Sequence, residues 1–181
     1  SEMCIRDSIG KPQCRSIDRT GRGHFRGHQE AGAAVAEQVC RRLRLSRSMT
    51  ANVTALVRFH DISVVCGEAN VRRWLNRLGL PLYRKLLELN RADTLAHAAP
   101  AFRRLPILDQ AEADLERILQ EGQCWTLGQL AVGGSDLTGL ACGPALGNLL
   151  RRLLDAVIDG SCPNERGALL ELAARLCREE A

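Results

Sequence analysis

The feature that most constrains this chain is the recurrence of apolar residues every three or four positions, segment after segment, with few β-branched runs between them. From Glu30 onward, Ala36, Val39, Cys40 and Leu43 recur at helical spacing, with Arg41, Arg42 and Arg44 on other faces. After the polar break "SRSMT", Val53, Leu56, Val57 and His60 form a second stripe. "DISVVCGEAN" reads as an irregular or short extended connection. Val71, Trp74, Leu75 and Leu78 make a third stripe, closed by Gly79 at a helix-ending position. Pro81 opens a fourth helix carrying Leu82, Leu86, Leu89 and Asp93. Leu108, Ala111, Leu115, Ile118 and Leu119 form a fifth, which stops at Gly122. Leu146, Leu149, Leu150, Leu153 and Val157 lie between Pro144 and Gly160. Asn164 is placed as the cap of a last helix with Leu169, Leu172, Ala173 and Leu176. The pattern predicts an all-α fold. "HAAPAFRRLP", residues 97–106, has two prolines and no stripe, and divides the chain into two consecutive helical pieces.

Composition narrows the classes further. A chain of 181 residues can bury one sizeable core or two small ones. At 45% hydrophobic and 25% charged it has the make-up of a soluble globular protein. No apolar run approaches the ~20 residues of a membrane span, and no charged-then-apolar leader opens the chain, so it reads as cytoplasmic with no membrane partner. Aromatics are only 3%, which argues against base stacking on aromatic platforms. The eight cysteines contain no Cys-x-x-Cys pair and read as buried thiols rather than a zinc site or a disulfide scaffold. Charge is uneven: residues 1–60 carry 11 Lys/Arg against 5 Asp/Glu, and residues 61–181 carry 14 against 16. Nearly all of the positive charge is arginine, which suits bidentate contacts to phosphate but also follows from a GC-rich genome, and composition does not choose between the two.

Four local patterns could carry chemistry. His24 and His28 stand four apart, and His60 is followed by Asp61. Imidazole and carboxylate ligands from different helices can hold a divalent metal, although a packed or hydrogen-bonded histidine is the ordinary outcome on an apolar face. "IGKP" and "TGRGHFRGH" place glycine corners beside basic residues, as phosphate sites do, without the order of a P-loop. A surface loop accounts for them as well. In "AVGGSDLTGLACGP", Ser135 and Asp136 can cap a helix or leave its N-terminus to a phosphate. Arg72, Arg73 and Arg77 make a basic stripe or a solvated helix face.

The segments "IGKP", "GHFRGHQEAGA", "LVRFHD", "VRRWLNRLG", "RAD" and "LAVGGSDLTGL…GPALGNLLRRLLDAVIDG…NERGALLELA" follow one another in a telling order. From about Ile9 to the end the chain resembles bacterial CCA-adding tRNA nucleotidyltransferases that carry an HD-type segment. The resemblance implies the C-terminal portion of such an enzyme, with residues 9–99 a partial HD-like and body region, 100–106 a linker and 107–181 a helical tail. Residues 1–8, "SEMCIRDS", match nothing in that family and read as a non-native start.

That family adds C, C and A to tRNA 3′ ends, using divalent metal (magnesium for nucleotide addition) and CTP or ATP. Its catalytic head carries a Gly-Ser motif with paired aspartates. No Gly-Ser followed by Asp-x-Asp occurs here, so this chain is expected to hold no catalytic residue and to be inactive alone in nucleotide addition. The HD-type site is expected to be incomplete: where relatives have His-Asp before "IGKP", this chain has Asp7 and Ser8. His28, His60, Asp61 and Asp93 are what remain by match as metal ligands. The implied partner is tRNA, with Arg22, Arg26, Arg41, Arg42, Arg44, Arg72 and Arg73 on phosphates. Gly133, Gly134, Asp136 and Asn164 would shape the tail that holds the tRNA elbow. Two other classes stay open, an HD-type metal-dependent phosphohydrolase and a helical protein-interaction scaffold.

Overall fold

The structure is a computed structural model that describes residues 14, 16–17, 23–24, 27–60, 64–96 and 99–179. Residues 1–8, the "IGKP" corner, Arg22, Arg26 and Asp61 lie outside the described residues. The fold is all-α, as the periodicity predicts. Two two-residue strands, β1 (Ser16–Ile17) and β2 (Gly23–His24), pair antiparallel with Ser16 opposite His24. Eight α-helices follow among the described residues: α1 (His28–Arg42), α2 (Arg47–Phe59), α3 (Glu68–Leu78), α4 (Leu80–Ala96), α5 (Leu105–Gln120), α6 (Gly134–Leu137), α7 (Gly143–Asp159) and α8 (Arg166–Glu179). They fall into two compact units, one of Ser1–Val64 with Leu80–Leu108, the other of Val65–Gly79 with Asp109–Ala181.

In the first unit, α1 and α2 are joined by four residues and pack along each other as a helical hairpin. The end of α1 is closed by the Arg44 N–H to the Arg41 carbonyl and the Leu45 N–H to the Cys40 carbonyl, both 3.0 Å. This paired closure needs a left-handed residue and usually takes glycine. Here Arg44 supplies it, at φ 54°, the one non-glycine residue with positive φ among those described. The Ser46 hydroxyl then accepts from the Met49 N–H at 3.2 Å and caps α2.

The buried face of α1 is His28, Gly32, Ala33 and Cys40. Val39 and Leu43, expected inside, are 42% and 66% exposed. On α4 the inward face is Tyr83, Leu86, Leu87, Asn90 and Thr94. Asn90 and Thr94 satisfy themselves within the helix. The Asn90 amide donates to the Leu86 carbonyl at 2.9 Å. The Thr94 hydroxyl donates to the Asn90 carbonyl at 2.7 Å. Within the stretch read as a linker, Ala99–Arg104 forms a 3-10 helix that runs directly into α5.

The second unit has a continuous apolar core, with Leu137, Leu149, Leu153, Leu154, Val157, Ile158, Leu169 and Ala173 at its centre. In the same unit, Val71 and Leu75 of helix α3 are fully buried. The expected glycine stops are present: α5 closes at Gly122 (φ 62°) and α7 at Gly160 (φ 77°). At each, the N–H of the following residue reaches back five positions to a helix carbonyl. The start of α3 is held by a buried carboxylate. Asp114, 4% exposed, accepts from the Gly67 N–H at 2.6 Å and from the Gln110 amide at 2.9 Å. That places negative charge against a helix N-terminus.

Asn164 corrects an expectation. Its side chain accepts from the Ala131 N–H and donates to the Gln129 carbonyl, each at 2.9 Å. It clips the preceding loop rather than capping α8, because the loop's backbone groups need partners that only a distant amide supplies.

Candidate nucleic-acid interface

In the first unit the two predicted histidines come together. His28 begins α1 and is buried; His60 ends α2, and the ring centroids are 5.7 Å apart, edge to face. His60 Nδ1 donates to the Val57 carbonyl at 2.6 Å, which fixes the neutral ring's proton on Nδ1. Asp93 is half-buried on α4. Among the described residues no three His, Cys, Asp or Glu side chains converge as a metal site would require. The fourth expected ligand, Asp61, is outside that set. His24 lies in β2.

Arg41, Arg42 and Arg44 are exposed at the end of α1. Arg41 Nη2 pairs with Glu37 Oε1 at 2.6 Å one turn back. Two arginines that the sequence patterns did not single out stand on α2 in the same unit, Arg47 in its first turn and Arg58 in its last. Arg58 Nε pairs with Glu30 Oε2 at 3.0 Å. The signal was available: Thr54 lies seven positions after Arg47 and four before Arg58, which puts all three on one face of a helix.

In the second unit the two arginines of "VRRW" have different fates. The Arg72 side chain is only 12% exposed. Its Nε and Nη2 donate to the Ile158 carbonyl at 3.0 and 2.7 Å, and its Nη1 donates to Gln123 Oε1. It therefore satisfies a C-terminal carbonyl of α7, where positive charge also suits the helix dipole. Arg73 is half exposed and pairs with Asp159 at 2.6 Å. At the 133–136 turn, Asp136 Oδ2 accepts from the Gly133 N–H at 2.8 Å and Oδ1 accepts from Arg166 Nη2 at 2.7 Å. The Gly133 N–H, and after it Arg166, hold the Asp136 carboxyl below its usual range. Gly134 is the first residue of α6, and the chain's own aspartate caps this turn.

No helix among the described residues is long and apolar enough to cross a membrane. Fold and surfaces together define an all-α protein of two compact units, with exposed arginines along α1 and α2. The chain belongs to the tRNA nucleotidyltransferase domain 2 family, which it matches over residues 29–173. It is 33% identical over 153 residues to an A-adding tRNA nucleotidyltransferase of Deinococcus radiodurans, a match covering 82% of this chain and 35% of that protein. It is 30% identical over 153 residues to a CC-adding tRNA nucleotidyltransferase of Thermus thermophilus, covering 84% of this chain and 34% of that one. The chain thus spans about a third of the length of these curated relatives. No solved structure matches.

Proposed function

We propose that this chain is the tRNA-contacting helical portion of a tRNA nucleotidyltransferase, the whole protein using CTP or ATP with a divalent metal to extend the tRNA 3′ end. The family match across 29–173, which runs through both helical units, carries this reading. Exposed arginines and scarce aromatics suit contact with RNA backbone and shape, since side chains cannot read the deep groove of an RNA helix. The test is fluorescence anisotropy of labelled tRNA with the 181-residue chain across a salt series, with an acceptor minihelix lacking the elbow as competitor. Binding should weaken steeply with salt and favour whole tRNA. No binding at low salt from a sample shown helical by circular dichroism overturns the reading. With labelled CTP and ATP, the chain alone should leave tRNA unextended.

The His28–His60 contact favours a second reading, a metal-dependent phosphohydrolase. Its mark would be manganese- or nickel-stimulated hydrolysis of bis(p-nitrophenyl) phosphate, lost in both His28→Ala and His60→Ala. A rate indifferent to added metal removes it.

A further inference from the structure

The helical hairpin of the first unit encloses a cleft of about 730 Å³ between the C-terminal half of α1 and the exposed face of α2. Three arginines line it, Arg41 from α1 and Arg47 and Arg58 from α2, against one acidic residue, Glu37. Thr50 and Thr54 lie between the arginines of α2, one and two turns in from its start. Thr54 Oγ1 is buried and has no hydrogen-bond partner among the described residues. That oxygen presents essentially no surface to the cleft.

We infer that this cleft is a subsite for the RNA backbone, with the Arg41, Arg47 and Arg58 guanidinium groups donating to successive phosphates. The inference rests on the tRNA reading above and names residues for it. Charge and donor type select the ligand class. Planar guanidinium forks match a phosphate's paired oxygens. The two ion pairs do not cancel the site. Arg41 meets Glu37 through Nη2 and Arg58 meets Glu30 through Nε, so the donors on each fork's other nitrogens are not spent on those carboxylates. Arg47, in the first turn of α2, has no ion-pair partner among the described residues, and that first turn carries no acidic residue. A phosphate there also meets the positive end of the α2 dipole. The apolar floor from Ala51 and Ala55 suits the flat face of a ribose.

The test is anisotropy with tRNA across a salt series for the full chain and three variants. R41Q/R47Q/R58Q removes the three positive charges from the cleft and leaves Glu37. R103Q/R151Q/R178Q removes the same charge from exposed arginines elsewhere. T54V removes only the hydroxyl. The cleft variant should lose affinity and show a plot of log K against log salt shallower by about two to three, roughly one per phosphate contact. The comparator should change the slope by less than about one. T54V should keep the wild-type affinity and slope, because that oxygen presents essentially no surface to a ligand in the cleft. Matching slopes for the cleft and comparator triple variants, with wild type still binding, overturn this inference alone and leave generic electrostatics. A wild type that binds no tRNA overturns the tRNA reading and this one together. Thermal melts of each variant verify that it is folded, and a cleft variant that does not fold is replaced by single R47Q, whose expected slope change is about one.

Discussion

Arg72 donates twice to one oxygen: its Nε and Nη2 both reach the carbonyl of Ile158, 86 residues away in sequence, at 3.0 and 2.7 Å. The same guanidinium meets Gln123 and lies 3.6 Å from Glu68, so one side chain ties α3 to the end of α7 and to the turn after α5. Arg72→Met keeps the stem and removes the fork, leaving a mostly buried carbonyl and amide without their charged donor. A loss of about 2–3 kcal/mol follows from hydrogen bonds of this type. Arg72→Lys should recover little, because an ammonium cannot present two coplanar donors to one oxygen. Urea denaturation reads both. A stability change under about 0.5 kcal/mol for Arg72→Met would place the residue among ordinary surface substitutions and remove it as a tie.

Arg44 closes α1 with a left-handed backbone at φ 54°. An L side chain in that region costs roughly 1–2 kcal/mol, part of which glycine would give back as extra freedom in the unfolded chain. Arg44→Gly is therefore expected to raise stability by about 0.5–1 kcal/mol, seen as a higher urea midpoint at unchanged slope. A lowered midpoint would mean that the arginine side chain contributes more than its backbone costs.

These two residues mark where the sequence was legible and where it was not. Helix periods and glycine stops are local, so the helical class and the ends at Gly79, Gly122 and Gly160 could be read directly. The face of α1 could not. Val39 and Leu43 fit a helical stripe as well as Ala33 and Cys40 do, and only packing decides which is buried. Arg72 and Arg73 look alike in "VRRW", yet one caps a helix end far along the chain and the other pairs at the surface. Asn164 was legible as a capping type, but its partners, Gln129 and Ala131, are set by the fold. His28 and His60 each stood out in the sequence, one paired with His24 and the other followed by Asp61, and the structure instead brings their two rings together.

Asp136 gives a pH signature. The Gly133 N–H first, and Arg166 second, hold its folded carboxyl below the ordinary value of 3.8. The unfolded chain therefore takes up the proton first as pH falls. The stabilisation is complete above about 3.8 and disappears as pH drops through the lower folded value. Asp136→Asn keeps an oxygen for the Gly133 N–H and removes only the charge. Wild type should exceed this variant in urea midpoint by a constant margin from about pH 5 to 7, with the gap closing below about pH 4. High salt should narrow the gap, since the Arg166 side chain is 64% exposed. A gap that persists unchanged into acid would assign the effect to packing instead of charge.

The cysteines separate by burial. Cys142 is exposed, whereas Cys124 and Cys162 are 5% and 9% exposed in the core of the second unit. Burial pushes both of those thiols up from their usual range, more than Arg72 near Cys124 or Arg175 near Cys162 can draw them down. Alkylation needs the thiolate and access to it, so the two buried thiols are disfavoured on both counts. With iodoacetamide at mildly alkaline pH, peptide mass spectrometry should find Cys142 modified well before Cys124 and Cys162. Cys124 and Cys162 should follow roughly a hundredfold more slowly, at a rate set by opening of the unit. Arg72→Met removes a tie beside Cys124 and should speed its labelling while leaving Cys142 unchanged. Labelling of Cys124 as fast as Cys142 in the wild type would mean that the second unit opens readily, and the tight core drawn around Leu153 and Leu169 would be wrong.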